Sequence, residues 1–232
     1  MTLKRCEIER GKDNLSEGAK MYLLHWEYMA GSIVVHALLQ DARADFDLHY
    51  VDMGAGEHKA PDYLSINPTG RVPALTLPGG STIGETGAIV THLCEVFAQA
   101  GLSPQPGDTD RSEFLFWLNV MTTMGYPTVA RWNHPERYAK SEAAIAEVER
   151  KASADLDDFF DIMEEAISGP KSFLKRGFSA LDYYLSMLTE WSANRQALFA
   201  AHPKIEAVYL YASQRPAYRA AMNRHALPQA AA

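Results

Sequence analysis

Apolar and polar positions change period partway along the chain, and the change divides it. After a polar, aperiodic stretch over residues 1–19, Met21-Tyr22-Leu23-Leu24 forms an apolar run of strand length. From about residue 32 to 43, Ile33, Val34, Ala37 and Leu38 recur on one helical face. Phe46, Leu48 and Tyr50 then alternate with Asp47 and His49, the period of a half-buried strand. A loop rich in Gly and charge follows, GAGEHKAPDY. Residues 74–77 and 81–83, joined by Pro78-Gly79-Gly80, read as a hairpin. A second amphipathic helix over 86–98 gathers Ile89, Val90, Leu93 and Phe97 on its apolar face. The order strand, helix, strand, loop, strand, strand, helix predicts one small mixed sheet with helices packed on it.

Past Leu102 the composition turns to Pro and Gly, SPQPGDTD, which reads as a domain boundary. No strand pattern survives beyond it. Ile145, Val148, Ala152, Leu156, Phe159 or Phe160, Met163 and Ile167 recur at helical spacing, a long helix with one buried stripe that Gly169-Pro170 stops. Shorter helical patterns occupy 111–132, 179–191, 203–213 and 216–225. The expected organisation is a polar extension over 1–19, an α/β domain over 20–101 and an all-helical domain over 110–226.

Composition narrows the partners. The chain has 232 residues and a formal net charge of −7 without visible Lys/Arg clusters, which argues against nucleic acid. Its apolar runs fall far short of the roughly 18–20 residues a membrane span needs, and the N-terminal stretch lacks the apolar core of a signal peptide. Its two cysteines, Cys6 and Cys94, have neither CxxC nor metal-ligand spacing, so neither a disulfide scaffold nor a metal site is expected. These features together point to a reducing cytoplasm.

Three features stand in the right order for one binding site. In Ile66-Asn67-Pro68-Thr69-Gly70-Arg71-Val72-Pro73-Ala74-Leu75 a proline separates a loop from a strand start. It is either an ordinary loop-to-strand proline or a cis one; a cis bond would turn the Val72 N–H and C=O outward, to pair with an extended peptide. In Gly84-Glu85-Thr86-Gly87-Ala88-Ile89 a strand gives way to a helix. Thr86 there reads as a helix cap, the free N–H groups and helix dipole favour a carboxylate, and Glu85 suits an ammonium group. His58-Lys59, in the preceding loop, offers cations for a second carboxylate or is solvated surface.

Residues 66–75 followed by the Gly84–Leu93 run resemble the glutathione transferase superfamily, and the Glu57–Pro68 stretch is similar to its phi and theta classes; the beta class is also close in kind. The resemblance covers roughly residues 20–225 and implies a thioredoxin-like N-terminal domain, βαβ followed by ββα, and an all-helical C-terminal domain. It implies glutathione as co-substrate, no metal, a small apolar electrophile and a homodimer. Residue by residue, Val72 beside Pro73 would pair with the cysteinyl backbone of glutathione. Glu85 and Thr86 would hold the γ-glutamyl group, and Lys59 with His58 the glycine carboxylate. Arg71, where many members carry Gln or Lys, reaches a carboxylate or points to solvent. Gly177-Phe178-Ser179-Ala180-Leu181-Asp182 resembles the family's capping box and hydrophobic staple, which serve folding.

One part of the pattern breaks. The chemistry needs a donor that lowers the thiol pKa from near 8.5. The turn that usually supplies Ser, Cys or Tyr reads Glu27-Tyr28-Met29-Ala30-Gly31-Ser32, with Met29, Ala30 and Gly31 at the usual Ser or Cys positions. Tyr28 and Ser32 are the remaining candidates; Ser32 reads first as a helix cap, and Tyr28 also as a surface or interdomain aromatic. Glu27 would oppose a thiolate unless turned away or paired. From the helical domain, Tyr126 and Trp132, either side of Pro127, would wall an electrophile pocket or belong to the core, with His134 a nearby acid. Two readings follow: a glutathione transferase, or a module of the same fold that binds glutathione or a protein without turnover.

Overall fold

A computed structural model describes residues 21–226; the polar extension expected over 1–19, with Cys6, lies outside the described residues. The first elements are β1 (Tyr22–Trp26), α1 (Ser32–Asp41) and β2 (Phe46–Tyr50). They are followed by α2 (Pro61–Ile66), β3 (Ala74–Thr76), β4 (Thr82–Gly84) and α3 (Thr86–Val96). The four strands form one sheet in the order β2-β1-β3-β4. Strand β1 runs parallel to β2 and antiparallel to β3, with His25 opposite Ala74, and β3 pairs antiparallel with β4, with Ala74 opposite Gly84. This is the thioredoxin-like arrangement expected.

Strand β1 runs on through His25-Trp26, past the apolar run that predicts it. His25 is tolerated there because its ring nitrogens bond to His49 and Thr76 on the neighbouring strands, each at 3.0 Å. Helix α1 is more deeply placed than an amphipathic pattern suggests. Every residue from Ser32 to Leu39, His36 included, is buried between the sheet and the helical half. Helix α2 stands where Gly- and charge-rich composition predicts a loop; Pro61 occupies its first turn, where a missing N–H costs nothing.

Helix α4 (Arg111–Val120) runs through a π-helical turn, Met121–Gly125, into α5 (Tyr126–Asn133). Pro127 lacks the N–H of a regular α-turn, and the ladder widens just ahead of it. Gly125 lets this turn pack tightly, since a Cβ there would lie 2.5 Å from Phe159. Helix α6 (Glu142–Ala166) is the long helix with the buried stripe, capped by Ser141. The most buried helix is α7 (Ala180–Glu190). The Ser179–Asp182 capping box precedes it, and Phe178 packs edge-on against Tyr183 at 4.7 Å, the hydrophobic staple. Helices α8 (Arg195–Ala201), α9 (Pro203–Ser213) and α10 (Pro216–His225) complete the helical half; α8 has no strong apolar period and escapes the sequence reading.

One continuous apolar core joins the halves, from Leu24, Ile33 and Leu75 to Phe159, Leu185 and Val208. Polar ties reinforce it. Tyr183 donates to Asp41 at 2.8 Å, and Arg215 bonds the same carboxylate at 2.6 Å. The packing fixes the end of β1 against α5, α7 and α10, where the candidate site lies. Among the described residues no helix is long and apolar enough to cross a membrane.

Candidate active site

The Val72-Pro73 bond is cis. Its position is set from one side: Tyr63 Oη and Asn67 Nδ2 both donate to the Arg71 carbonyl at 2.8 Å. Asn67 is itself held by the Thr69 N–H and hydroxyl, and Gly84 lies close against it. Neither the Val72 N–H nor its C=O bonds to a described residue. Lys59 Nζ donates to the Gly70 carbonyl at 2.8 Å, which leaves further ammonium protons unspent. Gly70 has φ +58°, and a Cβ there would lie 2.9 Å from Lys59 Nζ, so glycine is required on both counts. His58 is half-buried with its Nδ1 unpartnered; burial, then Lys59, then Arg137 push its pKa down. Arg71 is exposed.

Across from this edge, Glu85 is held at φ +61°, a conformation that costs a non-glycine residue on the order of 1–3 kcal/mol and clusters at functional sites. It is exposed and ends β4 at the start of α3. Thr86 is the first helical residue and not the cap expected of it: its hydroxyl bonds to Tyr184 Oη at 2.6 Å, which ties the two halves. Its backbone N–H remains one of the free donors at the helix start.

The turn after β1 is held from many directions. Both Glu27 carboxylate oxygens accept backbone N–H groups, Oε1 from Tyr28 at 2.6 Å and Oε2 from Met53 at 2.9 Å. Its charge is therefore hydrogen-bonded, as a thiolate neighbour would demand. Met29 has φ +46°; its N–H bonds to the His225 carbonyl at 3.1 Å, and its carbonyl accepts from Trp191 Nε1 at 2.8 Å. The Gly31 N–H donates to Tyr126 Oη at 3.1 Å. A Cβ on Gly31 would lie 2.7 Å from that oxygen and 3.0 Å from Thr86 Cγ2, so only glycine admits both neighbours. The Ala30 N–H has no partner among the described residues.

Ser32 does not face the open space beside this turn. It is fully buried, and its hydroxyl makes only long contacts of 3.4 Å, with the Glu27 backbone and His225 Nδ1. Since a carbonyl can only accept, His225 Nδ1 donates to the Glu27 carbonyl at 3.2 Å. Burial first, then His36, lowers the His225 pKa to about 3.

A cavity of ≈ 490 Å³ opens between the turn and the helical half. Tyr28, Met29, Ala30 and Val72 line one side, and Tyr126, Val129, His134, Arg137 and Trp191 the other. Tyr126 meets Trp191 edge-to-face at 5.1 Å. Burial pushes the Tyr126 hydroxyl up to about 12, with Glu85 raising it further and the Gly31 N–H and Arg71 pulling it down. It therefore keeps its proton while accepting from Gly31, and that proton is free to donate. Trp132 lies elsewhere, in a separate ≈ 330 Å³ cavity with Leu156, Phe160 and Leu188. Six residues along an α-helix turn a side chain about 120° from Tyr126, which carries Trp132 to the α6 side.

The structure thus brings Tyr28, Val72, Pro73, Glu85, Thr86, Tyr126, Lys59 and His58 around one edge, and sets Ser32 and Trp132 apart. The sequence reading misses Asn67, Tyr63, Trp191, His225 and Arg137. Asn67 lies inside the quoted motif and was open to notice; Trp191 and His225 act across the fold and leave no local signal. Among the described residues no three His, Cys, Asp or Glu side chains converge as metal ligands would. Cys94 is buried, and burial pushes its thiol up to about 12.

Known proteins resemble this arrangement. Residues 32–96, from α1 through α3, match the family model for the glutathione S-transferase N-terminal domain. Glutathione S-transferase 3 of Zea mays is 27% identical over 199 residues, which span 84% of this chain and 89% of that protein. A glutathione transferase homolog from Sulfitobacter, solved with bound glutathione, superposes with a TM-score of 0.82 at 25% identity, over 90% of this chain and all of that one. The transcriptional regulator URE2 of Saccharomyces cerevisiae is 31% identical over 121 residues, half of this chain and 34% of that protein.

Proposed function

We propose that the chain, as a member of the cytosolic glutathione transferase superfamily, binds glutathione along the Val72–Thr86 edge and activates the thiol to attack an apolar electrophile in the adjoining cavity. The observation that carries this reading is the unbonded Val72 backbone, set beside the free N–H groups that begin α3. Val72 pairs with the cysteinyl backbone as an added strand would. The Thr86 N–H and the helix dipole receive the γ-glutamyl carboxylate, and Glu85 its ammonium group. Lys59, with His58, takes the glycine carboxylate; Arg71 stands at the same edge.

The thiol then lies by the β1 turn. We assign the unspent Tyr126 proton, the Ala30 N–H and the Tyr28 hydroxyl to the thiolate, and Ser32 to the support of the turn. The thiol proton leaves to solvent; the sulfur bonds to the electrophilic carbon as a halide or alkoxide departs with the bonding electrons. Donors fixed before the reaction stabilise the thiolate without reorganising during it. A homodimer in a reducing cytoplasm that clears electrophiles fits the same reading.

A second reading has its own support. No Ser or Cys of the turn faces the cavity, and URE2, a transcriptional regulator by name, resembles half the chain. A module that binds glutathione or a protein without turnover would look the same at the Val72 edge. Calorimetry with glutathione, together with titration of the bound thiolate by its ultraviolet absorbance, separates the readings. A transferase lowers the bound thiol pKa at least a unit below about 8.5. Absence of glutathione binding sinks the transferase and the glutathione-binding module and leaves only the protein-binding one; binding with an unshifted thiol, and no turnover across aryl halides and ethers, favours the glutathione-binding module.

A further inference from the structure

The cavity's far wall carries an asymmetry of charge that bears on what enters it. Much of its surface is apolar or aromatic: Met29 and Ala30 on the turn, Val129 and Trp191 facing them. At the helical lip stand His134 and Arg137, the latter on the short 3₁₀ turn that follows α5. The one carboxylate among the described residues that line the cavity, Glu27, already accepts two backbone N–H groups. Glu136, which does not line it, touches the lip cations only loosely, 3.4 Å from His134 Nδ1 and 3.9 Å from Arg137 Nε. The Arg137 side chain is 55% exposed, so its guanidinium is hydrated and free to move toward a ligand. In a chain of net charge −7 a cation placed at this opening is not the background.

We propose that the cavity selects electrophiles carrying an anionic group, a carboxylate above all, with the apolar body against Met29, Val129 and Trp191 and the anion on Arg137. The proposal rests on the transferase reading for the word electrophile, but the binding preference does not require turnover. A planar guanidinium holds a carboxylate by two parallel charge-assisted hydrogen bonds; a neutral ester cannot offer both oxygens in that way, and a nitro group offers the shape without the charge.

The test is calorimetric, on the full chain with S-methylglutathione bound, so that no reaction occurs. The probes are 3-nitrobenzoate and its methyl ester, equal in ring and unequal in charge. Wild type binds the anion roughly tenfold or more tightly than the ester, the scale of one charge-assisted hydrogen-bond pair. Arg137→Gln removes that preference while the ester's affinity moves less than about twofold, and Arg137→Lys restores part of it. Added salt narrows the gap, because the pair is half-exposed. Equal binding of both probes by wild type overturns the proposal. So does an Arg137→Gln protein that loses affinity for S-methylglutathione instead, which would give Arg137 to the tripeptide's own carboxylate. If S-methylglutathione does not bind at all, the transferase reading fails, and the same probe pair on the unliganded protein still decides the charge preference.

Discussion

The edge that receives the ends of the tripeptide and the turn that would receive its sulfur are built by opposite means. Around the proline turn of the edge the fixing contacts are local: Asn67 to Arg71 spans 4 residues, Tyr63 to Arg71 spans 8 and Lys59 to Gly70 spans 11, while Thr86, tied to Tyr184 over 98 residues, reaches into the other half. At the turn they are remote: Gly31 to Tyr126 spans 95 residues, Met29 to Trp191 spans 162 and Glu27 to His225 spans 198. A local device can be read from a short motif and survives changes elsewhere in the chain. A remote one is assembled only when both halves dock, and it inherits every weakness of their interface.

The largest effect expected follows from that weakness. Burial first holds His25 near a pKa of about 4, His36 near about 4 and His225 near about 3; His36 and His225 meet beside Trp26, while His25 lies on the other face of the sheet against Tyr63. Each folded-state pKa lies below the ordinary imidazole value, so the unfolded chain binds protons first and stability falls as pH falls below about 6.5. From about pH 7 to about pH 5 each neutral imidazole costs about 2 kcal/mol of stability. His36 and His225 lie 5.3 Å apart, so their effects do not simply add; the total is on the order of 4 kcal/mol. Thermal melts across that range should show the midpoint fall steeply. A flat profile would mean these rings are not held neutral.

Next in size is Tyr126→Phe. It removes the acceptor for the Gly31 N–H and the proton assigned to the sulfur, while leaving the Val72 edge untouched. The kcat should fall roughly tenfold to a hundredfold, the bound thiol pKa should rise, and glutathione affinity should stay within about twofold. Glu85→Gln does the reverse. It keeps the residue's length but removes the charge that faces an ammonium group. Glutathione binding should weaken about tenfold, with kcat at saturation much less changed. If the two variants show the same split between KM and kcat, the division of labour drawn here is wrong.

The same contrast explains what the sequence discloses. The sheet order, the hairpin, the long α6 and the capping box at Ser179 all follow from periodicity, turn chemistry or a three-residue spacing. The Val72-Pro73 feature is legible because its partners lie within the same motif, and Glu85-Thr86 because it marks a strand-to-helix junction; the Thr86 bond to Tyr184, 98 residues away, leaves no local signal. Helix α2 is missed because six residues with one buried side chain leave no period to detect. Ser32 is misread because its position at a helix start looks the same whether its hydroxyl faces solvent or His225, and the difference lies 193 residues away. Trp132 is misassigned because the π-turn and helical phase, not nearness to Pro127, decide which cavity an aromatic enters.

Ser32→Ala is the smallest change and the sharpest discriminator between supporting the turn and acting in it. The hydroxyl is wholly buried, its contacts are all 3.4 Å long, and it does not line the cavity. Long hydrogen bonds of this kind contribute at the low end of the usual range, so their loss should cost about 0.5–1 kcal/mol of stability. The Glu27 carbonyl keeps its bond from His225, and the Glu27 N–H loses only a weak partner. The turn should therefore hold its shape, and kcat and the bound thiol pKa should change by less than about twofold while the melting midpoint drops a few degrees. A tenfold fall in kcat with an unchanged midpoint would put the Ser32 hydroxyl on the sulfur, and would require the turn to open toward the cavity when glutathione binds.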